Sequence, residues 1–169
     1  RTMTPADFEL FANQSAEIYG SMSADDPDLT RFRDRGGKVI VAHGLADQLI
    51  PPQGSIDYYQ RVQQRMGGEG KTAAFARLFL VPGVDHGFRG AGPSPGFNNL
   101  IAAVVAWVEE GKAPDRLIGE SRDASGKVTR TRPVFPYPHV AKYSGTGSTD
   151  DAANFVRQTP VPVNPVFPR

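Results

Sequence analysis

His86 closes an apolar run and opens a glycine-rich turn in "VPGVDHGFRG", residues 81–90. An imidazole so placed can accept a proton from a nucleophile if a carboxylate fixes its tautomer and steadies the imidazolium that forms. Asp47, in the turn "GLADQLIPP", is the matching carboxylate. The sequence holds three histidines, His43, His86 and His139. His43 ends the run "KVIVAH" and either lines the same site or simply closes the strand. His139 lies in a proline-rich stretch and reads as structural. Asp85 is adjacent to His86, and neighbouring side chains usually point apart, so it is not read as the partner. Asp57 falls inside a helical pattern and reads as solvated.

These side chains can meet only if the elements carrying them lie side by side. "KVIVAH" and "FARLFLVP" are short apolar runs that read as buried strands. Between them, "QGSIDYYQRVQQRMGG" places Ile56, Tyr59, Val62 and Met66 at helical spacing. "GFNNLIAAVVAWVEEGK" follows as a second helix. Strand, helix, strand, helix implies a parallel sheet covered by helices, with ligands bound beyond the carboxyl ends of its strands. Asp47 and His86 each follow one strand, so both are expected at the same sheet edge. Ahead of them, Thr4-Pro5-Ala6-Asp7 is a helix start, and "SMSADDPDLTRFRDRGG" is a polar connection. Two strands alone make no stable doubly wound sheet. The expected fold class is therefore α/β, the end of a larger domain whose parallel sheet has flanking helices and a Pro-rich extended tail.

The 169 residues include 39% hydrophobic residues, 15 prolines and no cysteine. A cysteine nucleophile, thiolate metal ligands and disulfides are excluded for these residues. The net charge of +1, from 19 basic and 18 acidic residues without a basic stripe, argues against nucleic acid as a partner. No apolar run approaches the roughly 20 residues of a membrane helix, so no membrane partner is expected. "RTMTPADFEL" lacks the apolar core of a signal peptide.

"GPSPG", residues 92–96, matches G-x-S-x-G with Ser94 at its centre. The match is rejected as a nucleophile. The residue after that serine must donate its backbone N–H to an oxyanion, and Pro95 has none. Ser94 also follows His86, whereas hydrolases on such sheets run Ser, Asp, His.

The blocks "DLTRFRDRGGKVIVAHGLADQLIPPQGSIDYYQRV", "ARLFLVPGVDHGFRGAGP", "VVAWVEEGKAPDRLI" and "RPVFPYPHVAKYSGTGSTDDAANF" resemble the C-terminal part of the tannase and feruloyl esterase family. The resemblance covers about Asp28 to Phe155. It implies a serine esterase with an α/β-hydrolase core, in which Asp47 is the triad acid and His86 the triad base. It further implies that the serine, its oxyanion hole and a lid with structural calcium lie upstream, so that no cofactor or metal is expected in this chain. The family usually has a cysteine directly after the triad histidine, bridged to one beside the serine; Gly87 stands there. Phe135 and Arg157 likewise stand where family members often carry tail cysteines. The resemblance points to secretion or the periplasm and the lack of cysteine points the other way, so the compartment stays open.

The expected organisation is a helix and connection leading out of the lid (1–30), the last strands and helices of the core (31–112) and an extended tail wrapping the core (113–169). The expected activity is hydrolysis of esters of phenolic or aromatic acids. The expected partners are a small aromatic ester and the N-terminal remainder of the hydrolase carrying the serine, oxyanion hole and lid. Two alternatives remain: another α/β-hydrolase, of peptidase or dienelactone type, and a non-catalytic module or pseudoenzyme that holds a partner through its tail.

Overall fold

A computed structural model describes residues 2–160. Helix α1, Pro5–Tyr19, starts at a capping box in which the Thr4 hydroxyl accepts from Asp7 N–H and the Asp7 carboxylate accepts from Thr4 N–H. The short helix α2, Thr30–Asp34, leads into strand β1, Val39–Gly44. Helices α3, Pro52–Arg65, and α4, Glu69–Ala73, connect β1 to strand β2, Ala76–Val81. Helix α5, Gly96–Glu110, ends at Gly111, whose φ of 68° supplies the left-handed cap. Beyond it, β3, Leu117–Arg122, pairs antiparallel with β4, Val128–Val134, and β5, Val140–Tyr143, pairs antiparallel with β6, Phe155–Gln158.

Strands β1 and β2 are parallel, in a register running from Val39 opposite Ala76 to Gly44 opposite Val81. Strand alternation divides their side chains between two cores. On one face Val39, Val41, Ala76 and Leu78 pack with Ile56, Tyr59, Val62 and Met66, the four residues marked by helical spacing. On the other, Ile40, Ala42, Phe79 and Val81 pack with Leu100 and Ala103 of α5 and with Leu117 and Val134 of the β3–β4 pair. The Tyr59 hydroxyl donates to Ala76 O at 2.9 Å and stitches α3 to the start of β2. The second edge of β2 is met by the segment at Pro136–Tyr137, where Tyr137 N–H donates to Leu78 O at 2.7 Å. Among the described residues, β1 has no strand on its other edge.

Three features add to the sequence reading. The polar connection contains α2, and a further short helix, α4, precedes β2. Within the stretch read as an extended tail, residues 113–160 form two antiparallel strand pairs. Pro133 is accommodated in β4 because a two-stranded pair keeps an outer edge on which a missing N–H is tolerated. Residues 161–169, the rest of that stretch, lie outside the described residues.

Candidate active site

The parallel pair ends in two loops that are laced together. Leu45 N–H donates to Val81 O and Ala46 N–H to Val84 O, each at 2.9 Å. These bonds hold the turn after β1 against the turn after β2. Gly44, the last residue of β1, is buried here because the second loop passes directly over it: a Cβ would lie 2.2 Å from Val84 O. The close approach requires glycine.

Asp47 and His86 face each other across this seam. His86 Nδ1 lies 2.9 Å from Asp47 Oδ2. The other carboxylate oxygen, Oδ1, accepts the backbone N–H groups of Leu49 and Ile50, both at 2.9 Å. The Asp47 side chain is only 5% exposed, whereas that of His86 is 45% exposed. Burial alone would push the Asp47 carboxyl up. The N–H donors of Ile50 and Leu49, with the hydrogen bond and charge of His86, outweigh it and hold the group down at about 2. Asp47 is thus an ionised acceptor at neutral pH, and the proton of the pair resides on His86 Nδ1. Nε2 of His86 is left with its lone pair, and no described hydroxyl is bonded to it. The arrangement is that of a general base with its orienting acid, open on the side where a nucleophile would approach.

The His86 loop is shaped by Asp85 and Phe88. The Asp85 carboxylate accepts from Gly87 N–H and Arg89 N–H, both at 2.9 Å, so it folds the turn instead of touching the His86 ring. Phe88 adopts φ 57°, a left-handed conformation that costs a side-chain-bearing residue roughly 1–2 kcal/mol. Its ring packs against Phe97 at 5.1 Å between centroids. Nothing in the sequence signals that conformation. Gly87 needs no glycine on steric grounds, since a Cβ there would meet nothing nearer than 3.5 Å.

The remaining candidates fall elsewhere. Ser94 forms a bridge with Glu120, and its hydroxyl accepts from Gly96 N–H at 3.2 Å, at the entry to α5. Asp57 is exposed on α3 and bonded to Gln53. His139 lies against Pro136 O and the Arg157 guanidinium. His43, by contrast, comes to the site: its Nε2 lies 3.3 Å from Asp47 Oδ2. Among the described residues no cluster of three or more His, Asp or Glu is arranged as metal ligands. No described helix is long and apolar enough to cross a membrane.

A parallel sheet between helical layers, with acid and imidazole in the turns after adjacent strands, defines an α/β-hydrolase-like protein. The comparisons with known proteins narrow that class. The family model for tannase and feruloyl esterase matches residues 6–158. A mono(2-hydroxyethyl) terephthalate hydrolase of Piscinibacter sakaiensis is 41% identical over 152 residues, covering 89% of this chain and 24% of the relative. A probable feruloyl esterase of Arthroderma benhamiae is 39% identical over 156 residues, covering 91% of this chain and 29% of the relative. The crystal structure of feruloyl esterase B from Aspergillus oryzae superposes with a TM-score of 0.81 at 31% identity, over 93% of this chain and 33% of that one. The chain belongs to the tannase and feruloyl esterase family, whose members named here are carboxylic ester hydrolases. It spans about a quarter to a third of the length of these relatives.

Proposed function

We propose that this chain is the C-terminal segment of a serine carboxylesterase acting on esters of phenolic or aromatic acids, and that it supplies the acid and base of the Ser-His-Asp triad. The observation that carries the reading is the 2.9 Å contact between Asp47 Oδ2 and His86 Nδ1 at the ends of two adjacent parallel strands. The serine hydroxyl adds to the ester carbonyl while His86 Nε2 takes its proton. The imidazolium, steadied by Asp47, then returns that proton to the departing alcohol as the C–O bond breaks and the acyl-enzyme forms. Water, deprotonated by the same Nε2, releases the acid and regenerates the serine. The aromatic acyl preference is carried over from the feruloyl and terephthalate esters named for the relatives.

The serine, its oxyanion hole and the lid come from the remainder of the hydrolase. Two surfaces support that partner. The free edge of β1 offers unpaired backbone groups to a further parallel strand. On α5, Phe97, Ile101, Val105 and Val108 form an exposed stripe at helical spacing, on the side away from Leu100 and Trp107. An obligate, largely apolar interface above about 2,000 Å² fits such surfaces.

The test is turnover of methyl ferulate and of mono(2-hydroxyethyl) terephthalate by the complete protein and its His86→Ala variant. Hydrolysis by the parent that disappears in the variant is the expected result. Undiminished turnover by His86→Ala would overturn the assignment. Hydrolysis of anilides in preference to esters would favour the peptidase reading instead.

A further inference from the structure

We infer that His43 is a second imidazole of the site, a positioning residue that braces Asp47 through the Ile50 backbone and a 3.3 Å ring–carboxylate contact, so that the carboxylate faces His86 in one orientation. The inference rests on the triad reading above and adds a residue to it.

His43 is the fifth residue of β1, four positions before Asp47, with a side chain only 11% exposed. Its Nε2 lies 3.1 Å from Ile50 O and 3.3 Å from Asp47 Oδ2. A carbonyl oxygen is an acceptor without a proton, so Nε2 must carry the hydrogen and donate it to Ile50 O, with the ionised Asp47 carboxylate in close electrostatic contact beside that bond. Nδ1 of the neutral ring is then an acceptor, and it receives the Ser55 hydroxyl at 2.7 Å. The tautomer is fixed by these partners. Ser55 belongs to the first turn of α3, Ile50 and Asp47 to the loop after β1, and His86 to the loop after β2. The series Ser55, His43, Ile50, Asp47, His86 therefore joins three elements by hydrogen bonds, from Ser55 to His43, from His43 to Ile50 O, from Ile50 N–H to Asp47 and from Asp47 to His86.

This geometry answers a mechanical problem. Leu49 and Ile50 N–H groups fix Oδ1, but a carboxylate held by one oxygen can still swing the other. Oδ2 must meet His86 Nδ1 from a set direction, because the ring orientation decides where Nε2 points. Ile50 is bonded on both sides, its O accepting from the buried His43 ring and its N–H donating to Asp47 Oδ1, while the same ring lies 3.3 Å from Oδ2. The buried ring thus sets the position of the oxygen that orients the exposed one.

Two conservative variants separate the roles. In glutamine the side-chain amide nitrogen falls where histidine has Nε2. In asparagine it falls where histidine has Nδ1. His43→Gln therefore keeps a donor toward Ile50 O beside Asp47, while His43→Asn keeps only the Ser55 side. The measurements are kcat and KM for methyl ferulate in the complete esterase, the proton resonance of the His86 Nδ1–H, and the thermal midpoint of each variant. A misplaced catalytic group costs on the order of 10²-fold. His43→Asn is expected to lose roughly that much in kcat with little change in KM, and to shift or broaden the His86 Nδ1–H signal; His43→Gln should recover to within about tenfold of the parent. Equal losses in both variants that follow their thermal midpoints would reduce His43 to a structural role, as would parent-like kcat in His43→Asn. His86→Ala is the control: if it retains turnover, the triad reading fails, whereas its inactivity beside a fully active His43→Asn overturns the present inference alone.

Discussion

Asp47 is held by contacts of different kinds, and each leaves a separate mark. Replacing it with asparagine keeps the shape and most of the hydrogen-bonding capacity. An amide nitrogen facing His86 Nδ1, however, favours the ring tautomer with its proton on Nε2, where the base must be free. Asp47→Asn in the complete esterase is expected to retain the fold and lose up to about 10⁴ in kcat; steady-state kinetics beside circular dichroism would show it. The carboxyl itself should titrate with a midpoint of about 2, readable from the Asp47 Cγ carbon resonance. Since that value lies below the ordinary 3.8, the ionised group stabilises the fold fully above about pH 4, and its contribution is lost as the pH falls toward 2. A midpoint at or above 4 would mean that the Leu49 and Ile50 N–H donors are not in place.

At the scale of elements, the site depends on how closely the two loops run. Gly44 and Gly87 make a matched pair, one under the crossing and one on its open side. A methyl group on Gly44 would press on Val84 O, Val84 C and Asp85 O at 2.2, 2.7 and 2.9 Å, all of them backbone atoms. The loop carrying His86 would have to lift off Asp47. Gly44→Ala is expected to cost about 1–3 kcal/mol in stability and most of the activity. Gly87→Ala adds a methyl at ordinary contact distances and should stay within about 0.5 kcal/mol of the parent. Chemical denaturation and ester turnover of the two variants check the contrast, and equal behaviour would mean that the crossing is looser than described.

The described residues bury two cores around a sheet that has two parallel strands among them. Helix α1 buries none of its residues, although Phe8, Phe11 and Ile18 are apolar and more than half exposed. Together with the α5 stripe and the free edge of β1, this is more apolar surface than a stable monomer leaves open. The 169-residue chain by itself is expected to self-associate or to melt without cooperativity, and to become well ordered with the rest of the hydrolase. It should also show no ester turnover by itself. Size exclusion and thermal melting decide the first point. A monodisperse, cooperatively unfolding monomer would make the chain a complete domain and remove the basis for the partner.

The sequence by itself determined the elements with strong local signals. Those are the capped helix after Thr4, the two apolar strands, the helix through Tyr59 and Val62, and the long apolar helix before Gly111. It also placed Asp47 and His86 after adjacent strands, because parallel strands joined by a helix put their carboxyl ends on one side. Tertiary structure decided the rest. The strand pairs beyond residue 113 were hidden because proline-rich segments carry little alternation, and their pairing depends on what they pack against. The turn-forming role of Asp85 and the left-handed Phe88 arise from loop closure, which no periodicity encodes. His43 was visible as a residue near the site, but its contact with Asp47 was not. That contact exists only because β1, the following loop and the first turn of α3 converge on one buried imidazole, and a contact in such a place is fixed by packing rather than by spacing along the chain.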